Sequence, residues 1–179
     1  DLRLIRLTGA PISKRDFDLY KTRFGSNTFL RIAMGSTEMG SISICAAILN
    51  QGFSYPTEGF PIGYPSRGRT ILFLDEDRRP VAPGQIGEIA VKSENLSGGY
   101  WKQPKATNEK FLPDPNGGGE RIYLTGDFGR MLPDGFVVHL GRKDLMVKIR
   151  GYRVDFSEVE QALLKHPGIK DAGVRAWDH

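Results

Sequence analysis

The N-terminal part of the chain changes between strand-like and helix-like spacing of its apolar residues. Leu2–Leu7 predicts a strand, and Thr28–Ala33 predicts a second one. Between them, three aromatic residues recur at helical spacing and form one apolar face: Phe17, Tyr20 and Phe24. Ser13 precedes this face and Asp16 follows three residues later, which predicts a helix that begins with a capping box.

Short strands separated by turns are predicted over much of the remaining chain. Five stretches have the apolar content and the length of strands: Thr70–Leu74, Gln85–Lys92, Arg121–Leu124, Phe136–Leu140 and Leu145–Arg150. Turn residues separate them, as in Pro83-Gly84 and Pro133-Asp134-Gly135. A helix is predicted to begin near Asp155, and Ile169–Trp177 predicts a last strand. Between residues 39 and 64 the pattern is mixed and predicts no element.

The pattern divides the chain at about residue 143. Residues 1–143 are rich in predicted strands, whereas residues 144–179 predict a β-β-α-β unit that is too short to bury a core by itself. The fold class that we predict is mixed α+β.

Composition narrows the class of protein. Hydrophobic residues make up 39% of the chain and charged residues 26%, which is typical of a globular protein. The 25 basic and 21 acidic residues leave a net charge of +4, which is weak evidence for nucleic-acid binding, so no nucleic-acid partner is expected.

One cysteine, Cys45, cannot form an internal disulfide and favours a reducing compartment, so we expect a cytoplasmic protein. No apolar run approaches the roughly 18 residues of a membrane span, and no membrane partner is expected.

The segment Gly35-Ser36-Thr37-Glu38 follows a predicted strand and carries groups that suit a phosphate and its metal. Its backbone N–H groups and hydroxyls can bind phosphate oxygens. The Glu38 carboxylate supplies the hard oxygen that Mg²⁺ prefers. The alternative is an ordinary turn before a helix.

Two later segments also carry candidate polar groups. In Tyr123–Asp127, the carboxylate of Asp127 at a strand end can accept both hydroxyls of a ribose, and the alternative is a plain hairpin corner. In Gly141–Asp144, Arg142 offers a planar fork for phosphate or ribose oxygens, and Asp144 between two strands suits a hinge. The alternative for this pair is a surface ion pair.

Positive charge is concentrated in Lys148–Arg153. This segment suits an anionic arm such as a phosphopantetheine, and a solvated hairpin face is an equal alternative. The three histidines show no metal-ligand spacing, and the sequence contains no Cys-x-x-Cys, no Gly-x-Ser-x-Gly and no phosphate-binding lysine loop.

Five motifs are more specific in their order and spacing than any of them is alone. In chain order they are Gly-Ser-Thr-Glu at 35–38, Gly-Glu-Ile at 87–89, Ser-Gly-Gly-Tyr-Trp at 97–101, Tyr-Leu-Thr-Gly-Asp at 123–127 and fourteen consecutive residues at 141–154. Through them the chain resembles the adenylate-forming superfamily, and specifically the adenylation domains of nonribosomal peptide synthetases. The resemblance implies that ATP activates an amino acid or another carboxylic acid to an acyl-adenylate. The acyl group would then pass to the phosphopantetheine of a carrier domain.

The resemblance also implies roles for individual residues. Thr37, Glu38 and Arg142 are the expected catalytic residues, with Glu38 holding Mg²⁺. Asp127 and Arg142 would bind the ribose, and Asp144 would be the hinge. The expected nucleotide-binding residues are Gly9, Ala10, Pro11, Met34, Gly35, Ser36, Thr37, Asp127, His139 and Arg142. The expected substrate pocket contains Ala33, Ser41 and Ile42, and the expected thioester loop contains Lys148, Arg150 and Gly151.

For the fold, the resemblance implies the C-terminal portion of a large AMP-binding domain followed by part of a small one. Residues 1–143 would form the end of an α/β sheet and a distorted β-barrel, and residues 144–179 would start a mobile α+β subdomain. The family's phosphate-binding lysine loop and the lysine of the small subdomain would lie outside this chain, so we expect it to have little or no turnover by itself.

Two alternatives stay open at this point. Ser36 stands where the peptide synthetases usually have proline, which is closer to some acyl- and aryl-CoA ligases, so CoA could be the acceptor. A non-catalytic nucleotide-binding module is the second alternative.

Overall fold

The first helix forms where the sequence supplies a complete N-terminal cap. The Asp16 N–H donates to the Ser13 hydroxyl at 3.1 Å, and the Ser13 N–H donates to the Asp16 carboxylate at 2.9 Å. Phe17 and Tyr20 on the next turns are buried, whereas Phe24 lies at the C-terminal cap and is exposed. The predicted capping box is therefore confirmed, together with two of the three aromatic positions.

A computed structural model describes residues 2–39, 45–149 and 152–177. The first strands are β1 Leu4–Thr8, β2 Phe29–Met34, β3 Cys45–Leu49, β4 Phe60–Pro65, β5 Thr70–Leu74 and β6 Gly87–Ser93. The later strands are β7 Phe111–Pro113, β8 Arg121–Met131, β9 Val137–Arg142, β10 Met146–Ile149 and β11 Tyr152–Asp155. The helices are α1 Lys14–Arg23, α2 Pro104–Lys110 and α3 Phe156–Leu164, and short 3₁₀ turns lie at Thr37–Met39 and Lys143–Leu145. None of the helices in these ranges combines the length and the apolar character needed to cross a membrane.

One large sheet contains most of the described strands. Its order is β1-β2-β3-β4-β9-β8-β6-β5, and β7 pairs with β8 as a ninth strand. β1 and β2 are parallel, whereas the other neighbours in this sheet are antiparallel. β10 and β11 form a separate antiparallel hairpin that leads into α3. The predicted mixed α+β class is confirmed.

Strand β9 separates two parts of the hydrophobic core. Val137 packs with Ile89 and Val91 on one face, whereas Val138 packs with Phe17 and Leu30 on the other. Val137 and Val138 are both fully buried, so the sheet is covered on both faces at this point. The period of two predicted for this stretch is confirmed.

Some elements differ from the prediction. The last predicted strand is wrong, because residues 171–177 form no regular element and no described strand pairs with them. β3, β4, α2 and β7 had no sequence signal strong enough for a prediction. In β4, Pro61 and Gly63 argue against a strand, but the pairing with β9 accommodates them through a register shift between these two residues.

Candidate functional site

Two segments that are expected to bind nucleotide lie side by side because the strands before them are parallel. Thr8, the last residue of β1, is paired with Ala33 near the end of β2. The carboxyl ends of parallel strands lie at the same edge of a sheet, which places 9–11 next to 34–38. Gly9 has a φ of +90°, which glycine adopts without strain, and the turn at 9–11 is exposed. The structure thus brings these two predicted segments together.

Glu38 lies in the 3₁₀ turn after β2, and hydroxyl groups hold both of its carboxylate oxygens. The Ser36 hydroxyl donates to Oε2 at 2.7 Å, and the Tyr100 hydroxyl donates to Oε1 at 3.0 Å. The main chain is fixed as well, because the Ser97 N–H donates to the Glu38 carbonyl at 2.9 Å. The direction of the carboxylate is therefore set by groups from distant parts of the sequence.

These hydrogen bonds also favour the ionised form of Glu38. Burial raises the pKa of its carboxyl, but hydrogen bonds from Ser36, from its own backbone N–H, from Tyr100 and from Tyr123 outweigh burial and hold the pKa below its usual value. The pKa of Tyr123 is raised, first by burial and then by its hydrogen bond with Tyr100 and the charge of Glu38. The Tyr123 phenol consequently stays protonated and remains a donor.

A half-buried, ionised carboxylate of this kind fits one type of metal site. Mg²⁺ commonly takes one or two protein carboxylates and completes its coordination with water and substrate phosphates. The described part of the chain contains no group of three or more His, Cys, Asp or Glu side chains that would form a closed metal cage. The donor set at Glu38 therefore suits a cation that is brought by a phosphate ligand.

A turn within the long strand β8 presents the second group of polar residues. The register of β8 against β9 shifts between Asp127 and Gly129, and Gly126 has a φ of +79°. The Thr125 hydroxyl donates to the Ile89 carbonyl at 2.8 Å and accepts from the Asp127 N–H at 2.9 Å. The irregularity thus lies directly next to Asp127, which is still paired with Arg142 of β9.

The Asp127 carboxylate lies next to the side chains of His139 and Arg142. His139 Nε2 is 2.9 Å from Asp127 Oδ1, and Arg142 Nη1 donates to the same oxygen at 3.5 Å. Asp127 and His139 are both 7% exposed, so the pair is almost removed from bulk water. Phe60 covers the other side, with its ring centroid 6.2 Å from the imidazole centroid. Three residues that were predicted to bind nucleotide are thus brought together.

Arg142 uses its other edge to bind Asp144. Its Nε donates to Asp144 Oδ1 at 2.8 Å and its Nη2 donates to Oδ2 at 3.2 Å, which is a bidentate pair. This hydrogen-bonded pair raises the pKa of Arg142 and lowers the pKa of Asp144. The ion-pair alternative considered for these two residues is therefore present, and the role of Asp144 as a hinge stays a prediction.

Tyr123 connects the two groups of polar residues. Its phenol takes part in the hydrogen bonds around Glu38, and its backbone belongs to β8, four residues before Asp127. One strand therefore contributes a residue to both groups.

Some predicted residues are not part of this arrangement. Lys148 lies in β10 opposite Arg153, in the separate hairpin. Four predicted residues lie outside the described residues: Ser41, Ile42, Arg150 and Gly151.

Sequence reasoning gave no role to several residues at the site. Tyr100 and Tyr123 belong to recognised motifs, but only the folded chain shows that both hydroxyls reach Glu38. Lys110, the last residue of α2, places its Nζ 3.5 Å from the point that a Cβ on Gly126 would occupy, and Arg142 Nη2 lies 3.6 Å from the same point. No short-range sequence signal indicates that these two cations lie close together.

Comparisons with known proteins show the family to which the chain is related. The family model described as "AMP-binding enzyme" matches residues 1–101. Gramicidin S synthase 1 from Brevibacillus brevis is 42% identical over 142 residues, which cover 79% of this chain and 13% of that protein. Among the curated relatives that were compared, the chain spans between 2% and 25% of their length.

Solved structures give the same picture of the fold. An NRPS protein containing adenylation and PCP domains matches with a TM-score of 0.67 at 29% identity, over 95% of this chain and 34% of that one. The O-succinylbenzoate coenzyme A synthetase from Bacillus subtilis, in complex with AMP, matches with a TM-score of 0.78 at 28% identity, over 99% of this chain and 34% of that one.

Proposed function

The chain belongs to the AMP-binding enzyme family, and on this premise we propose that it forms part of an adenylate-forming ligase that activates a carboxylic acid with ATP. The observation that carries the proposal is the placement of His139 and Arg142 around one carboxylate oxygen of Asp127.

The Asp127 carboxylate would accept hydrogen bonds from the ribose hydroxyls. His139 and Arg142 hold one of its oxygens from two sides, which limits the directions that the carboxylate can take. Fixed acceptors cost little reorganisation when a ligand arrives, so this arrangement supports recognition of a ribose. The turns at 9–11 and 35–37 would line the neighbouring part of the nucleotide site.

Glu38 would hold Mg²⁺ together with the phosphates of ATP. When bound, the metal would neutralise phosphate charge. Ser36 and Tyr100 orient the carboxylate for this contact, and Thr37 is exposed beside it. Adenylation requires the carboxylate of the acid and the α-phosphate to be aligned while their repulsion is screened, and Arg142 would supply further positive charge.

The acid and the acceptor form the second part of the proposal. The similarity to gramicidin S synthase 1 at 42% identity supports an amino acid or related acid as substrate and a carrier-domain phosphopantetheine as acceptor. The likeness to a coenzyme A synthetase supports CoA as the alternative acceptor. In either case, residues 144–179 would belong to a subdomain that moves about Asp144, and Lys148 would belong to the thioester loop.

Nucleotide binding can be tested on this chain with a matched pair of variants. We expect Asp127→Asn to weaken binding of AMP, measured by calorimetry with Mg²⁺ present, by about tenfold or more because it removes a charged acceptor. Asp77→Asn is the control, because Asp77 is an exposed carboxylate whose ion pair with Arg79 lies at the surface. A folded chain that does not bind AMP, or equal affinities for both variants, would contradict the proposed function.

A further inference from the structure

Glu88 is a buried acid for which the proposed chemistry has no use. It belongs to strand β6, which lies between β8 and β5 in the sheet, and its side chain is 9% exposed. A buried carboxylate is costly unless hydrogen bonds or an opposite charge compensate for the lost water. The partners of Glu88 therefore indicate why an acid occupies this position.

The first partner is the peptide N–H that immediately precedes the predicted ribose-binding residue. The Gly126 N–H donates to Glu88 Oε1 at 3.1 Å within the protein interior. At this point the register between β6 and β8 shifts, between Glu88 and Ala90, and the left-handed φ of Gly126 turns its peptide away from the regular ladder. The Glu88 carboxylate accepts the hydrogen bond that a neighbouring strand would otherwise accept.

The second partner of Glu88 is Lys143, which follows Arg142 in the sequence. Lys143 Nζ donates to Glu88 Oε2 at 3.2 Å, and Lys143 stands between Arg142 and Asp144 in the sequence. One buried carboxylate therefore links the turn before Asp127 to the segment after Arg142.

From this connection we propose that Glu88 is a positioning residue for the Asp127–Arg142 pair and thereby for the ribose of a bound nucleotide. The inference rests on the proposed function for its ligand, but the position of the Gly126 peptide is a property of the chain itself. Thr125 restrains one side of the bulge through its hydroxyl, and Glu88 restrains the other. Without the Glu88 oxygen, the Gly126 peptide would turn towards water and carry Asp127 away from His139.

The test compares Glu88→Ala with the conservative Glu88→Gln, which keeps an acceptor oxygen for the Gly126 N–H. Glu94→Ala is the matched control, because Glu94 is exposed just beyond the end of β6. AMP affinity is measured by calorimetry with Mg²⁺, the fold by circular dichroism, and the Gly126 amide by hydrogen exchange without nucleotide. We expect Glu88→Ala to weaken AMP binding about tenfold and to accelerate Gly126 exchange. Glu88→Gln should restore slow exchange and most of the affinity, and Glu94→Ala should change neither.

The outcomes separate this inference from the proposed function. Absence of AMP binding to the wild-type chain contradicts the proposed function, and the exchange rates then decide the inference alone. Gly126 exchange that is equally slow in Glu88→Ala and in the wild type overturns the inference, as does unchanged AMP affinity in a folded Glu88→Ala chain. If Glu88→Ala does not fold, Glu88→Asp replaces it, since the shorter side chain keeps the charge but withdraws the oxygen from the Gly126 N–H. Faster Gly126 exchange and weaker AMP binding by Glu88→Asp then support the inference, and unchanged exchange overturns it.

Discussion

Replacing Tyr100 with phenylalanine removes one hydroxyl group from the Glu38 carboxylate and leaves the tyrosine's ring contacts in place. The ring packs edge-on against Phe111, with centroids 5.8 Å apart, and a phenylalanine keeps this contact. What is lost is the hydrogen bond of 3.0 Å to Glu38 Oε1, together with the hydrogen bond between Tyr100 and Tyr123. The change therefore removes one hydroxyl group from the hydrogen bonds around a candidate metal ligand.

The size of the effect follows from the charge of the acceptor and from its partial exposure. Hydrogen bonds to charged groups contribute about 1.5–3 kcal/mol, and the lower end applies because Glu38 is only half-buried and keeps its bonds from Ser36 and Tyr123. We therefore expect the free energy of unfolding to fall by about 1.5 kcal/mol at pH 7. For a chain of this length, the melting temperature would fall by roughly 3–6 °C.

The same hydrogen bond predicts how the effect depends on pH. The pKa of Glu38 is lowered in the folded chain, so its contribution to stability is present above the pKa of the unfolded state, about 4.3, and is lost as the pH falls through the folded pKa. Tyr100→Phe should raise the pKa of Glu38. The difference in stability between this variant and the wild type should therefore be larger at pH 7 than at pH 3.5.

Urea denaturation at the two pH values measures the difference, and a ¹³C NMR titration of Glu38 measures the direction of its pKa. Tyr64→Phe is the control, because the Tyr64 hydroxyl is exposed and lies 3.4 Å from Asp134. Equal losses in Tyr100→Phe and Tyr64→Phe at pH 7, or a loss in Tyr100→Phe that does not depend on pH, would refute the reasoning.

Two further predictions concern the fold. Ser13→Ala removes the hydroxyl that accepts from the Asp16 N–H, so thermal denaturation should show a loss of about 1 kcal/mol; no loss would mean that the capping box does not stabilise α1. Gly63→Ala combines a φ of +101° with a Cβ only 2.2 Å from the Ala46 carbonyl carbon, and urea titration should show a loss above about 3 kcal/mol. Gly135→Ala, with a φ of +85° and open space around it, should lose only about 1–2 kcal/mol, and equal losses in the two alanine variants would contradict the importance of the close contact.

Local signals in the sequence predicted those elements whose stability is local. The capping box of α1 depends on residues three positions apart, and Thr70–Leu74 is bounded by turn residues on both sides, so both were recognisable. β4 was not predicted, because its strand state depends on the pairing with β9, which lies about 75 residues further along the chain. The opposite error occurred at Ile169–Trp177, where an apolar pattern has no described strand to pair with.

In the candidate site, too, some residues could be predicted from the sequence and others depend on distant contacts. Motif order predicted the charged residues Glu38, Asp127 and Arg142, because charged side chains within a motif are visible in the sequence. The predicted strand end at Asp127 is wrong, because β8 continues through this residue to Met131. The groups that orient them come from distant positions: Tyr100 reaches Glu38 across 62 residues, and Glu88 reaches Gly126 across 38. Such contacts depend on strand register, which the sequence does not express locally.

Because of the bidentate contact with Asp144, the nitrogen atoms of the Arg142 guanidinium have two different carboxylate partners. Its Nε and Nη2 are engaged by a carboxylate of the same chain, while Nη1 is directed towards Asp127. A ligand that approaches Nη1 can add to the existing contacts, whereas a ligand that requires the Nε edge must first displace Asp144. Ligands of the second kind would compete with an internal anion, and their measured affinities would include the work of separating that pair.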